Sequence, residues 1–174
     1  MESIFVTGHR PNRLFGYDMR HPQWIRMKNE FQRIIVEANC HKGCSGMALG
    51  VDQVFAIAIY ELKMKGYPIT LECAIPCLNQ EKMWPRESKN IYRHILSLSD
   101  KVICVSNTYY TKDCMEKRNR YMVDNYDGGI VVYDGSNKGG TASCFNYIKK
   151  QKKPYYLIKV EEGGINYDSN WRIN

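Results

Sequence analysis

Short apolar runs alternate with longer amphipathic stretches along the whole chain. Ser3–Thr7, Cys44–Ala48, Ile69–Ile75, Lys101–Val105, Gly129–Tyr133 and Tyr155–Val160 read as strands, each short and followed by a turn-forming or polar segment. Between them, apolar residues recur at helical spacing over Trp24 to about Asn39, Val51–Lys65, Gln80–Leu98 with a break near Trp84-Pro85, Lys112–Tyr126 and Ala142–Lys150. Asn12–Gln23 keeps neither period and is predicted to lie over the sheet as a flap. The polar segment from Glu161 to Asn174, with Gly163-Gly164, is predicted to be a loose or docking extension. Strands that alternate with helices predict an α/β, Rossmann-like three-layer sandwich, with a mostly parallel sheet and helices on both faces. The pattern predicts one domain over 1–174, with its core over about 3–160.

Composition narrows this picture only a little. No apolar run reaches the ~20 residues of a membrane span, so no membrane partner is expected. The N-terminus enters a strand without a charged-then-apolar leader. With 7 scattered cysteines, an odd number, this predicts reduced thiols and a cytoplasmic location. Cys40 with Cys44, and Cys73 with Cys77, lack the four-ligand spacing of a zinc site, so no metal is expected. The net charge of +7 and a pI near 9.0 fit either a polyanionic partner or a solvated, charge-stabilised surface. The densest cluster, Lys149-Lys150-Gln151-Lys152-Lys153, falls at a predicted helix end, where lysines complement the dipole without any ligand.

The chemistry sits in the loops that follow strands. Asp134-Gly135-Ser136-Asn137-Lys138-Gly139-Gly140-Thr141 runs from a strand into a helix start. Such a turn presents unpaired N–H groups and the positive end of a helix dipole, which suits a phosphate. Gly139 and Gly140 admit close backbone approach, and Thr141 adds a hydroxyl or caps the helix. After the first strand, Gly8-His9-Arg10 offers a close turn, a histidine and a guanidinium fork for phosphate. His9 is either a donor or general acid, or a loop histidine satisfied by backbone. In the Gly46–Asp52 loop, Gly46 and Gly50 bracket the turn. Asp52 either steadies its helix N-terminus or holds a ribose hydroxyl. Trp84 either stacks on a base or packs in the core. Right-handed crossovers place all such loops on one sheet edge, so Gly8–Arg10, Gly46–Asp52, Ser106–Tyr110 and Asp134–Thr141 are predicted to converge.

The motifs Thr7-Gly8-His9-Arg10-Pro11, Gly46 to Asp52, Tyr109 to Met115, Arg118-Asn119, and Tyr133 to Ser136 with Gly139-Gly140-Thr141 resemble the YpsA-type branch of the SLOG superfamily, in unchanged order over roughly residues 3 to 160. The resemblance implies a Rossmann-like fold and a pocket for a nucleotide or nucleotide derivative. Its relatives include the DNA-processing protein DprA and the LOG-type phosphoribohydrolases. LOG enzymes carry a catalytic arginine and glutamate. Arg118 matches the arginine, whereas Cys144 stands where the glutamate belongs.

The expected function is therefore binding of a phosphorylated nucleotide derivative, ADP-ribose-like or a cyclic nucleotide signal, as a sensor or sequestering protein. Arg10, Ser136, Gly139, Gly140 and Thr141 would hold phosphates. Asp52 and Asn119 would hold ribose or base, and Tyr109 or Tyr110 would stack. Thr7, Gly8, His9, Gly46, Gly50, Ser106 and Asp134 complete the expected site. No cofactor is required. The alternatives are a nucleotide N-glycosidase or phosphoribohydrolase-like hydrolase, with Arg118 stabilising charge, and single-stranded DNA binding as in DprA. A homo-oligomer is expected from the same resemblance.

Overall fold

In a computed structural model, which describes residues 1–161, 164–167 and 171–172, one seven-stranded sheet carries helices on both faces. The strands are β1 (Ser3–Gly8), β2 (Lys42–Ser45), β3 (Thr70–Ile75), β4 (Lys101–Cys104), β5 (Gly128–Tyr133), β6 (Tyr155–Glu161) and β7 (Gly164–Tyr167). The helices are α1 (Pro22–Glu37), α2 (Val51–Met64), α3 (Arg86–Leu98), α4 (Cys114–Asn125) and α5 (Gly140–Lys150). The order across the sheet is β4-β3-β2-β1-β5-β6-β7, all parallel except β7, which pairs antiparallel with β6.

Side-chain alternation along β1 divides the core. Ile4 and Val6 face one side, where α1 and α2 bury Trp24, Phe31, Val51, Phe55 and Ile59. Phe5 faces the other, with Met122 and Val123 of α4 and Phe145 and Ile148 of α5. A parallel strand buried on both faces reads as a continuous apolar run, as β1 and β5 do.

Several boundaries differ from the expectation. β2 starts at Lys42, paired with Ser3, and stops at Ser45, because Met47 turns into the left-handed region (φ 59°). The helix expected over Gln80–Leu98 forms only from Arg86, since Pro85 sits at the N-cap in extended geometry. Trp84 meets the Tyr92 ring edge-on at 5.3 Å and packs against the core, which is the packing reading. The irregular segment after β1 includes a 3₁₀ turn, Pro11–Arg13, and is anchored where Trp24 Nε1 donates to Gly16 O at 2.9 Å. The C-terminal extension is no loose tail where it is described. β7 completes the sheet, Tyr155 bridges Arg172, and Tyr156 contacts the Trp171 ring. Gly163 lies outside the described residues.

Six of the 7 cysteines are buried, and Cys104 alone is half-buried. Burial pushes the Cys40 thiol up to about 11 and those of Cys44 and Cys73 up to about 12. Thiolate is the reactive form. A thiol reagent at neutral pH is thus expected to modify one cysteine in the native protein, Cys104, and all 7 after denaturation. Peptide mass spectrometry locates the label, and rapid native labelling of Cys44 or Cys73 would contradict the buried placement.

Candidate functional site

Strand order reverses beside β1. The chain steps outward from β1 through β2, β3 and β4, then returns to place β5 on β1's other side. At such a switch point the loops leaving the two central strands diverge to opposite faces and open a crevice. The loop after β1 and the loop after β5 therefore frame a cavity of about 320 Å³, closed from the side by α4.

Each wall has a local cause. Gly8 lacks a side chain because Val51 occupies the space a Cβ would need, so α2 starts hard against β1. Arg10 precedes the 3₁₀ turn and Arg13 ends it, and residues three apart eclipse in such a turn. Both arginines consequently face the cavity. Arg13 is a site residue that the linear pattern did not single out. It is 2.5 Å from Asp134 Oδ2 and donates to Ser136 Oγ at 2.9 Å, stitching the β1 loop to the β5 loop. His9 is buried beneath them, its Nε2 2.9 Å from Asp134 Oδ1 and 3.2 Å from the Asp134 amide. Burial lowers the His9 pKa, and the Asp134 carboxylate only partly opposes this, so the ring is neutral at neutral pH. Burial works to raise the Asp134 pKa, but hydrogen bonds from Ser136 and the Arg13 charge outweigh it and hold the carboxyl below the usual range. His9 and Asp134 thus brace the rim, and His9 also lines the cavity whereas Asp134 does not.

The floor is a buried ion pair. Arg118 Nη1 lies 3.5 Å from Asp52 Oδ2 and donates to Gly46 O, while Arg118 Nε donates to Asn119 Oδ1 at 2.9 Å. Asp52 Oδ2 also accepts the Ala48 amide at 3.2 Å. A side chain on Gly46 would overlap the Arg118 guanidinium, which is why the turn needs glycine there. Gly50 has φ 91°, and a Cβ on it would press on Pro11 and the His9 carbonyl. Gly46 and Gly50 therefore shape the floor from behind. Asp52 sits in the first turn of α2 and on the cavity wall. Burial pushes its carboxyl up, against the pull of Arg118 and Arg10.

The open side is α5. Its N-cap, Gly139 (φ 98°), makes no side-chain capping bond, so among the described residues no side chain caps the first amides of the helix, and Gly140 and Thr141 line the cavity there. Across from them, the Arg10 guanidinium donates no hydrogen bond among the described residues, and burial lowers its pKa from the usual arginine value. Thr7 and Asn119 also line the cavity.

Ser136, expected to hold phosphate, is not on the cavity lining and its hydroxyl accepts from Arg13, while Ser106, Tyr109 and Tyr110 lie farther off. Ser106 and Tyr109 follow β4, three strands from β1, or about 14 Å at ~4.8 Å per strand. Neither borders the cleft, and the Tyr109 side chain is 69% exposed. Cys144 lies next to the cleft but is buried, and burial pushes its thiol up to about 11.

A mostly parallel sheet whose order reverses beside β1, with a crevice at the reversal, defines a Rossmann-like α/β protein. The chain belongs to the YspA SLOG family, whose model matches residues 4–162. It is 31% identical over 157 residues to the SPbeta prophage-derived protein YoqJ of Bacillus subtilis, which covers 82% of this chain and 91% of the relative. It is 29% identical over 167 residues to a UPF0398 protein of Brevibacillus brevis, covering 92% of this chain and 88% of the relative. Among solved structures, DNA processing protein A of Streptococcus pneumoniae superposes with a TM-score of 0.59 at 15% identity. The Helicobacter pylori protein, described with a single-stranded DNA binding mode, does so with a TM-score of 0.57 at 18% identity. These likenesses cover 94% and 90% of this chain, but only 51% and 64% of the two DNA processing proteins. They show the shared fold. Among the described residues, no helix is long and apolar enough to cross a membrane.

Proposed function

We propose that the protein binds a phosphorylated nucleotide derivative in the cleft between β1 and β5 and releases it unchanged. Membership of the SLOG family and the shared fold fit nucleotide or nucleic-acid binding in general. One observation carries the finer reading: the uncapped start of α5 and the Arg10 guanidinium, which donates no hydrogen bond among the described residues, face the same cavity. Helix amides and an arginine fork are the donors a phosphate needs. Asn119 and the rim of Asp52 are within the same cavity for a ribose or base.

The acids explain why binding outweighs turnover. Cleavage of an N-glycosidic bond needs a carboxylate free to act at the reacting carbon or on water. Asp52 is tied to Arg118, Asp134 to His9 and Arg13, and Cys144 offers a neutral thiol.

Calorimetry against ADP-ribose, cyclic ADP-ribose isomers and cyclic dinucleotides tests this, with at least one expected to bind more tightly than about 1 mM, or −4 kcal/mol. Arg10→Ala should weaken that binding about 10- to 100-fold, the worth of a charge-assisted hydrogen bond. Chromatography after long incubation should return the ligand intact. Products would favour a hydrolase. Retention of a single-stranded oligonucleotide in place of every small ligand would favour the ligand class reported for the H. pylori protein.

A further inference from the structure

A second cavity, of about 450 Å³, adjoins the first and shares Met115, Asn119 and Gly140 with it. It runs along the groove between α4 and α5. Gly140, Ser143, Tyr147 and Lys150 follow one another at helical spacing down one face of α5, so the groove extends about 15 Å from the helix start to its end. That is longer than a mononucleotide seated at Gly140 could fill.

The charged side chains that line it, Lys112, Glu116, Arg120 and Lys150, are net positive. Arg120 reaches across from α4, paired with Glu116 at 2.6 Å and lying 5.2 Å over the Tyr147 ring, and so ties the two helices together. Lys112 and Lys150 line the same groove, and neither ammonium has an acceptor among the described residues. By contrast, Lys149 on the neighbouring face is occupied over the Phe145 ring at 4.5 Å. An anionic chain would find amides at one end and the Lys150 ammonium at the other.

Building on the proposed function, we infer that the ligand is of dinucleotide length and lies across both cavities. Its internal phosphate sits at the α5 N-terminus, one nucleoside enters the β1–β5 cleft, and the second lies in the α4–α5 groove with a terminal phosphate toward Lys150 at the far end of α5. The uncapped amides are then the midpoint of the ligand rather than its end.

Calorimetry with AMP, the dinucleoside monophosphate ApA and its 5′-phosphorylated form pApA, and with the matching guanine series, separates the parts. The expected order is pApA tighter than ApA, and ApA tighter than AMP, with at least about tenfold between pApA and ApA, or ~1.4 kcal/mol. Lys150→Ala, at an exposed position, should bring pApA to the level of ApA while AMP shifts less than about twofold. AMP or GMP binding as tightly as its dinucleotides would overturn the inference and leave the nucleotide reading standing. So would a Lys150→Ala variant that weakens all three ligands alike. Failure of every ligand in both series would overturn the inference too, and the proposed function would then stand or fall on its own ADP-ribose and cyclic-dinucleotide panel.

Discussion

Arg118→Met is expected to lower the unfolding free energy by about 3–5 kcal/mol at neutral pH, with much of that loss recovered in acid. The reason is the company Arg118 keeps. Its side chain is 5% exposed and that of Asp52 is 7% exposed, so the pair is withdrawn from water. Methionine fills most of the volume but leaves the Asp52 carboxylate facing only the Ala48 amide and, more distantly, Arg10. Burial already raises the Asp52 pKa in the native protein, and removing Arg118 raises it further, because the Arg118 charge is the largest influence holding it down. With a folded value above the unfolded one, the folded state takes up the proton first as pH falls. The deficit is therefore full above the folded pKa and fades as pH drops toward the unfolded value near 3.9. Urea unfolding at about pH 7.5 and about pH 4.5 measures both limbs. Asp52→Asn added to Arg118→Met should restore about 2 kcal/mol or more at neutral pH and flatten the pH dependence. Equal deficits at the two pH values would show that Arg118 acts through packing and not as the counter-charge of Asp52.

This placement also bears on function. An arginine committed to Asp52, Gly46 and Asn119 has little freedom to follow charge developing on a reacting ligand. The Gly46–Asp52 loop, Arg118 and Asn119 form a preorganised floor, and the adaptable donors are on the rim at Arg10 and the start of α5. On the proposed function, ligand contact and structural support fall to different arginines, and Arg10→Ala and Arg118→Met should separate affinity from stability.

Much of the architecture was legible because a parallel strand buried on both faces writes itself as an uninterrupted apolar run, and glycine-bearing turns mark where helices begin. Gly8, Gly139, Gly140 and Thr141 were readable for that reason. Ser106 and Tyr109 were misplaced because strand succession in sequence does not determine strand order in space. The loop after β4 shares the sheet edge with the others but leaves an outer strand, so it never reaches the reversal point. Arg13 escaped notice because it belongs to a single 3₁₀ turn, too short for any period to show. The three-residue interval from Arg10 was the available signal. The α4–α5 groove could not be seen at all, since it depends on two helices from distant parts of the chain packing side by side on one face. Gly46 was marked as a turn residue, but its actual constraint, space for a guanidinium arriving from α4, is a tertiary one.

Gly140→Asp is expected to weaken ligand binding by about a hundredfold or more while leaving stability unchanged or raising it by about 0.3–1 kcal/mol. The two effects have a common origin. A Cβ on Gly140 meets nothing within 4 Å, so the substitution fits without displacing a neighbour. A carboxylate in the first turn of α5 supplies the negative charge that the uncapped N-terminus lacks, which favours the helix. The same carboxylate occupies the place assigned to phosphate and repels it, and opposed like charges at an interface cost several kcal/mol. Gly140→Asn is the neutral control, expected to lose less affinity because it obstructs without repelling. Calorimetry and urea unfolding on the same preparations read the two signs together. If Gly140→Asp bound the ligand as the unmodified protein does, the phosphate would have to sit elsewhere, and the uncapped amides at the reversal point would have no part in recognition.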